Sequence, residues 1–355
     1  MDEARRDAFA GRVFEAGLAT MDLFSVYLGE RLGLYRVLSR TGPLTPAAFA
    51  TRAGIDARYA REWLEQQAVT GILEVHAGDG DPRFGLPEEH AEVLLQQESL
   101  NYVAPLARYL VGIGRQLPGI AEAYRSGGGL TWGEYGEDVL TAQADFNRPA
   151  LIHLLGQEWL PSLPEVDARL RASGATVADI ACGGGWSSIA MARAYPGVTV
   201  DGYDYDAPSI ELARQNASDA GVADRVHFHL ADASDPTIGR KYDLVTVFEA
   251  LHDMSRPVEA LATMRGILAP GGSVLVMDER VAPEFGAPAS DVERLLYGFS
   301  SMLCLVNSMA EQPSAATGTV FREPTLRRYA SDAGFTSVEV LPIEHDFFRF
   351  YLLKG

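Results

Sequence analysis

The chain has 355 residues and carries 48 acidic side chains against 30 basic ones, which gives a formal net charge of −18. This length suits two domains, and the negative charge repels polyanions, so nucleic acid is an unfavourable partner. Hydrophobic residues make up 47% of the chain, but no run of 18 apolar residues occurs, so we expect no membrane-spanning helix. Two cysteines and an amino terminus without an apolar leader make the cytoplasm the expected location.

The first part of the chain has a helical pattern that ends in a short β-rich stretch. Apolar residues recur at helical spacing over residues 7–40. Thr45 and Asp56 are placed to cap two short helices, and residues 72–87 consist of two short apolar segments around a turn-rich stretch. This order of helix, turn, helix and wing predicts a winged-helix module.

Two interpretations of the winged-helix module are open. Residues 45–75 contain three arginines, Arg52, Arg58 and Arg61, against four acidic residues. A recognition helix that reads DNA through Arg58 and Arg61 normally presents a basic face, which this composition lacks. We therefore favour dimerisation and capping of the substrate over DNA binding.

Three segments are predicted, namely a winged-helix domain at 1–125, a helical segment at 126–170 that caps the active site, and a domain at 171–355. In the last segment, strand patterns occur at 176–181, 198–204, 226–232, 242–248 and 272–278, with helical stretches between them. The alternation predicts an α/β fold with a Rossmann-like parallel sheet and helices on both faces. A closing pair of strand patterns predicts an antiparallel hairpin at the sheet edge.

The first predicted strand of this sheet ends in a glycine turn, DIACGGG at 179–185. Ser188 stands where a nicotinamide fingerprint needs a third glycine, and the lysine of a phosphate-binding loop is missing. The second and third strands end in Asp204 and Asp232. Asp204 is placed to accept the hydroxyls of a ribose, and Asp232 to accept an exocyclic adenine amine. Acids at three strand ends fit a nucleoside joined to a cationic group.

With these motifs and LAPGGSVLVMDE at 268–279, the chain resembles the class I S-adenosylmethionine-dependent methyltransferases. Its N-terminal half resembles the winged-helix dimerisation domain of small-molecule O-methyltransferases of actinobacterial type. The resemblance implies S-adenosyl-L-methionine as cofactor, S-adenosyl-L-homocysteine as product, a homodimer, and a small-molecule acceptor. One position departs mildly from the family, because alanine replaces the more usual glycine at the start of the turn. The implied cofactor-binding residues are Asp179, Ala181, Gly183, Gly185, Asp204, Tyr205, Asp232, Ala233 and Phe248.

The fourth strand leads into FEALHDM at 248–254, where two-domain O-methyltransferases carry a His-Asp pair that supplies the general base. The resemblance assigns this role to His252, and a neutral imidazole suits proton removal at neutral pH. A purely structural role for His252 is the alternative. Glu249 is the second catalytic candidate, because it could orient the imidazole, act as the base, or bind a cationic substrate. We expect no metal, although distant residues could complete a site around His252 and Asp253.

The acceptor pocket is predicted from the capping segment and from a helix over 291–309. Its candidate residues are Trp132, Tyr135, Phe146, Asn147, Phe299, Cys304 and Asn307. Core or interdomain packing is the alternative for these side chains. Their aromatic character favours a flat or apolar acceptor, and we predict O-methylation of a secondary metabolite. A cofactor-sensing transcriptional regulator, N- or C-methylation, and non-methylating chemistry on the same fold are the alternatives.

Overall fold

The computed structural model describes residues 1–77, 80–235, 238 and 240–355. Contacts within the chain divide it into two compact units, Met1–Val111 and Gly112–Gly355. The three predicted segments stay predictions. The turn expected within residues 72–87 includes Gly78 and Asp79, which lie outside the described residues.

The first unit contains the predicted helix-turn-helix and wing. Its elements are α1 (Glu3–Arg31), α2 (Leu34–Thr41), α3 (Pro46–Ala53), α4 (Ala57–Val69), β1 (Glu74–His76), β2 (Arg83–Gly85), α5 (Glu88–Leu95) and the start of α6 (Pro105–Ser126). Thr45 and Asp56 cap α3 and α4 as expected, since their side chains accept hydrogen bonds from backbone N–H groups of the first helical turns. Strands β1 and β2 pair antiparallel. The helical pattern over 7–40 is interrupted once, at Gly33, whose φ of 67° separates α1 from α2.

The core of the first unit is built from α2, α3 and α4. Phe49 and Trp63 stack with ring centroids 5.7 Å apart, and Leu34, Leu38 and Leu64 are fully buried around them. On α4, Arg58 pairs with Glu62 one turn later, and Arg61 pairs with acids as well. The arginines of the candidate recognition helix are therefore already matched by carboxylates.

The second unit combines a helical segment with an α/β sheet. Its helices are the rest of α6, α7 (Gly136–Ala150), α8 (Pro164–Leu170), α9 (Trp186–Ala194), α10 (Ala207–Asp219), α11 (Pro257–Gly266), α12 (Asp291–Phe299), α13 (Leu305–Ser308) and α14 (Glu323–Asp332). Its strands are β3 (Thr176–Ile180), β4 (Thr199–Asp204), β5 (Val226–Leu230), β6 (Tyr242–Phe248), β7 (Leu268–Glu279), β8 (Ser337–Val340) and β9 (Phe348–Lys354). Short 3-10 turns lie at Trp132–Tyr135 and Leu251–Asp253, and π-helical segments at Leu151–Trp159 and Ser300–Cys304.

The seven strands form one sheet in the order β5-β4-β3-β6-β7-β9-β8. Strands β3 to β7 run parallel, whereas β9 pairs antiparallel with β7 and with β8. This arrangement confirms the predicted Rossmann-like sheet and its C-terminal hairpin. The strand order reverses between β3 and β6, and open α/β sheets bind ligands beyond the carboxyl ends of the strands at such a point. Among the described helices, each is too short or too polar to serve as a transmembrane span.

Candidate active site

The turn after β3 has the backbone conformation that a close-lying ligand requires. Ala181, Gly183 and Gly185 all have positive φ angles, of 54°, 51° and 79°. A Cβ atom on Gly185 would lie 2.6 Å from the ring of Phe228, so that position excludes any side chain. A Cβ on Gly183 would meet no described atom within 4 Å, so a ligand can approach the backbone there.

Asp204, at the end of β4, is fixed beside this turn. One carboxylate oxygen accepts a hydrogen bond from the Gly183 N–H at 2.9 Å, and the other accepts one from the Asp206 N–H at 2.9 Å. Burial raises the pKa of Asp204 to about 6, although these backbone hydrogen bonds oppose the shift. Each oxygen has accepted one hydrogen bond and retains a lone pair, so the carboxylate can still accept the two hydroxyls of a ribose.

The other strand-end acids have different surroundings. Asp179 is buried, and its two oxygens accept hydrogen bonds from the hydroxyls of Ser187, Ser188 and Thr246 at 2.6–2.7 Å. Asp179 therefore braces the glycine turn from inside the protein, and any effect on a cofactor acts through the turn. Asp232 is exposed and accepts hydrogen bonds from the backbone and hydroxyl of Ser234 at 2.7 Å.

Helix α7 of the predicted capping segment packs against the glycine turn. A Cβ on Gly184 would lie 2.7 Å from the side chain of Ala144, so glycine is required for this approach. The guanidinium of Arg148 lies over the Trp186 ring, 4.1 Å from its centroid, at the start of α9. These contacts place the remaining polar side chains of α7 next to the carboxyl end of β6.

Glu249 follows β6 directly and has a left-handed backbone with φ of 50°. Its Oε2 accepts hydrogen bonds from the side-chain amides of Asn147, at 2.6 Å, and Gln143, at 3.1 Å. Burial raises the pKa of Glu249 to about 7, against the effect of these two amides and of His252. The amides hold Glu249 in place, and no hydrogen bond from it to the imidazole is found among the described residues.

His252 is buried between two aspartates. Its Nδ1–H donates to Oδ1 of Asp278 at 2.7 Å, and its Nε2 lies 3.3 Å from Oδ1 of Asp253. Burial disfavours the imidazolium, but the charges of Asp278 and Asp253 outweigh it and hold the pKa of His252 well above its ordinary value. Asp278, rather than Glu249, is therefore the residue that orients the imidazole.

Cys304 and Tyr135 complete the surroundings of His252. The donor atoms of His252, Asp253 and Cys304 all lie within 4.8 Å of one another. Burial raises the pKa of the Cys304 thiol to about 12, so it is neutral and a weak metal ligand at physiological pH. We assign no metal to this group. The hydroxyl of Tyr135 donates to the carbonyl of Met302 at 2.9 Å, and burial raises the pKa of this hydroxyl.

The structure brings several predicted residues of the acceptor pocket together. Asn147 donates a hydrogen bond to Glu249, Cys304 lies with His252 and Asp253, and Tyr135 bonds the carbonyl of Met302, two residues before Cys304. The half-buried members, whose place at a ligand stays a prediction, are Trp132, Phe146, Phe299 and Asn307. Among the predicted cofactor-binding residues, Ala233 and Phe248 are half-buried and Tyr205 is exposed, and their place at the cofactor also stays a prediction.

Sequence reasoning missed three residues of this site, namely Asp278, Glu279 and Gln143. Asp278 and Glu279 end β7, so the pattern of acids at strand ends that identified Asp204 also contained them. Gln143 lies one helical turn before Asn147, and that spacing on the capping helix was its only local signal.

Comparison with known proteins agrees with this fold. Residues 171–323 match the family model of a methyltransferase domain, and residues 19–96 match that of an Rv2258c-like winged HTH domain. The 27-O-demethylrifamycin SV methyltransferase of Amycolatopsis mediterranei is 35% identical over 124 residues, 35% of this chain and 45% of the relative. The demethylmenaquinone methyltransferase of Lactiplantibacillus plantarum is 34% identical over 110 residues, 30% of this chain and 46% of the relative. The matched region thus spans less than half the length of these curated relatives.

Solved structures resemble nearly the whole chain. Mitomycin 7-O-methyltransferase aligns with a TM-score of 0.71 at 22% identity, covering 99% of both chains. Human N-acetylserotonin methyltransferase, solved with its cofactor, aligns with a TM-score of 0.69 at 19% identity, covering 100% of this chain and 99% of that one. At these identities the likeness shows the fold. The chain therefore has the class I methyltransferase fold, in which residues 171–323 match a methyltransferase domain and residues 19–96 match a winged HTH domain of the Rv2258c-like type.

Proposed function

We propose that this protein is an S-adenosylmethionine-dependent methyltransferase that methylates an oxygen of a small molecule, with a secondary metabolite as the expected class. The observation that carries the proposal is the placement of the Asp204 carboxylate against the Gly183 backbone at the ends of two adjacent strands. The methyltransferase domain match over residues 171–323 supports it independently.

The strand-end site fits the cofactor by its own chemistry. Asp204 keeps two lone pairs for ribose hydroxyls, and the space over Gly183 admits a ligand against the backbone. Asp232 is exposed at the next strand end, where an adenine amine would meet a carboxylate. When bound, S-adenosylmethionine supplies an electrophilic methyl group on a sulfonium.

In this proposal, the protein contributes position and proton removal. Helix α7 packs against the glycine turn, and in this role its side chains position the acceptor oxygen near the methyl group. His252 accepts the hydroxyl proton at Nε2, while Asp278 fixes the ring through Nδ1. The base form of His252 is the neutral imidazole, so its raised pKa predicts that the rising limb of turnover lies at higher pH than for an ordinary histidine.

The proposal includes a homodimer that forms through α1. This helix exposes a stripe of large apolar side chains along its length, among them Phe9, Val13, Phe14, Leu18 and Met21. Contiguous apolar patches of this kind mark association surfaces in proteins. A second copy of α1 offers a matching stripe. The two buried free cysteines suit a reducing compartment, and the cytoplasm remains the proposed location.

Calorimetric titration with S-adenosylhomocysteine, followed by an acceptor screen with S-adenosylmethionine, tests this function. We expect saturable binding by the wild type and the appearance of S-adenosylhomocysteine with a methylated acceptor. His252→Ala should keep cofactor affinity and reduce kcat by about 10²–10⁴-fold, the range for a lost general base. Folded protein without affinity for S-adenosylhomocysteine would refute the proposed function, and an unchanged kcat would return His252 to a structural role.

A further inference from the structure

An unusual concentration of carboxyl groups lies around His252. Glu249, Asp278 and Glu279 each carry one buried oxygen that has no hydrogen-bond partner, whereas Oδ1 of Asp253 faces His252 Nε2 at 3.3 Å. Asp278 is only 1% exposed and Glu279 only 9%. Buried polar atoms of native proteins are nearly always paired, so three orphaned acceptors in one place indicate a missing donor.

The charges of this cluster do not balance. His252 is the basic group among these carboxyls, and in the described part of the chain no arginine or lysine side chain bonds any of them. Burial raises the pKa of Glu249 to about 7, and burial together with the Glu249 charge raises the pKa of Glu279 well above its ordinary value. Protons therefore neutralise the cluster in the free protein, and a bound cation can replace them.

The contacts of Glu249 leave one of its oxygens for a ligand. Asn147 and Gln143 both donate to Oε2, which fixes the plane of the carboxylate, while Oε1 has no partner. The N–H of Glu249 donates to the carbonyl of Met277 at 2.8 Å, which places Glu249 beside the end of β7, where Glu279 lies two residues further on. Two carboxylate oxygens without donors suit a group with several N–H donors and a positive charge.

We propose that Glu249 and Glu279 bind a protonated amine of the methyl acceptor beside His252. This inference rests on the proposed function, because it places the acceptor at the same site. An anionic acceptor would add negative charge to four carboxyls, whereas an ammonium group supplies the donors that their orphaned oxygens lack. A cation in this position also lowers the pKa of His252, which favours the neutral imidazole that removes a proton.

Three phenols of similar size test the proposal by calorimetry on the full chain saturated with S-adenosylhomocysteine. Tyramine carries an ammonium, para-ethylphenol no charge, and para-hydroxyphenylacetate a carboxylate. We expect tyramine to bind about tenfold to a hundredfold more tightly than para-ethylphenol, the range for hydrogen bonds to a charged group, and para-hydroxyphenylacetate to bind most weakly. Titrations in two buffers of different ionisation enthalpy measure the protons released on binding. Of the three phenols, only tyramine should release protons, because its ammonium replaces protons of the carboxyl cluster.

Matched variants locate the preference. Glu249→Gln should abolish the higher affinity for tyramine over para-ethylphenol. Glu279→Gln should reduce this difference in affinity, and it provides the test if Glu249→Gln fails to fold. Asp243→Asn is the control, because Asp243 lies at the opposite end of the strand that leads to Glu249 and bonds the Thr176 backbone and Arg169. The control should keep the full preference for tyramine.

Several outcomes overturn the inference while leaving the proposed function standing. Binding of S-adenosylhomocysteine with equal affinity for tyramine and para-ethylphenol would do so. A second such outcome combines two results. The wild type shows no preference for tyramine, and Glu249→Gln loses affinity for S-adenosylmethionine but not for S-adenosylhomocysteine. Together they would assign the carboxylates to the sulfonium. Tight binding of zinc chloride alone, with no preference for the amine, would assign them to a metal. Failure to bind S-adenosylhomocysteine refutes both proposals together.

Discussion

Replacement of Asp204 by alanine is the most direct perturbation of the proposed cofactor site. The change leaves the N–H groups of Gly183 and Asp206 without their acceptor and removes the acceptor of the ribose hydroxyls. Hydrogen bonds to a charged group contribute about 1.5–3 kcal/mol, of which partial hydration restores some. We therefore expect a loss of about 1–3 kcal/mol in binding of S-adenosylhomocysteine, which is about 5-fold to 150-fold in Kd. Isothermal calorimetry measures this change directly.

The same variant has a distinct signature in stability. Because burial raises the pKa of Asp204 to about 6, the folded protein binds the proton more tightly than the unfolded chain does. Ionisation of Asp204 therefore destabilises the folded state progressively as pH rises from about 4 to about 6 and no further above that. The shift from 3.8 to about 6 corresponds to about 3 kcal/mol, and this component of the pH dependence should disappear in Asp204→Ala.

A matched control separates cofactor binding from folding. Asp243→Ala removes a carboxylate from the same sheet at its amino end, where it bonds Arg169 and the Thr176 backbone. This control should lower the free energy of unfolding and leave Kd unchanged. A folded Asp204→Ala protein that binds S-adenosylhomocysteine as tightly as the wild type would refute the assignment of Asp204 to the ribose.

Three further predictions follow from the geometry. Asp278→Asn removes a charge that stabilises the imidazolium, so it should lower the pKa of His252 and move the rising limb of the kcat/KM profile to lower pH. It should also reduce kcat, and an unshifted pH profile would contradict this prediction. Phe14→Asp should convert a dimer to a monomer in sedimentation, whereas Phe285→Asp, at an equally exposed phenylalanine of the second unit, should not. Gly185→Ala, at φ of 79° and against a buried ring, should destabilise the fold by about 1–3 kcal/mol in urea unfolding, and unchanged stability would refute the steric argument.

Local patterns in the sequence predicted most of the architecture. Strands of the parallel sheet are buried on both faces, so they stand out as continuous apolar segments, and acids at their ends mark the ligand-binding edge. Asp204 was identified in this way because the turn that precedes it and the strand that ends in it both have local signatures. The helix caps Thr45 and Asp56 were identified for the same reason, since a cap bonds backbone only two or three residues away.

The chemistry around His252 was decided only by the tertiary structure. His252 meets Asp278 across 26 residues, and Glu249 meets Asn147 across 102 residues. Such pairs have no periodic or spacing signal, so the sequence left Glu249 with three alternative roles and did not identify Asp278. The sequence by itself determined the fold, the glycine turn and the strand-end acids. The packing of α7 and β7 around the carboxyl end of β6 decided which acid orients the imidazole and which carboxyls have no donor. Only tertiary packing could decide this, because it alone brings distant charges into one low-dielectric space.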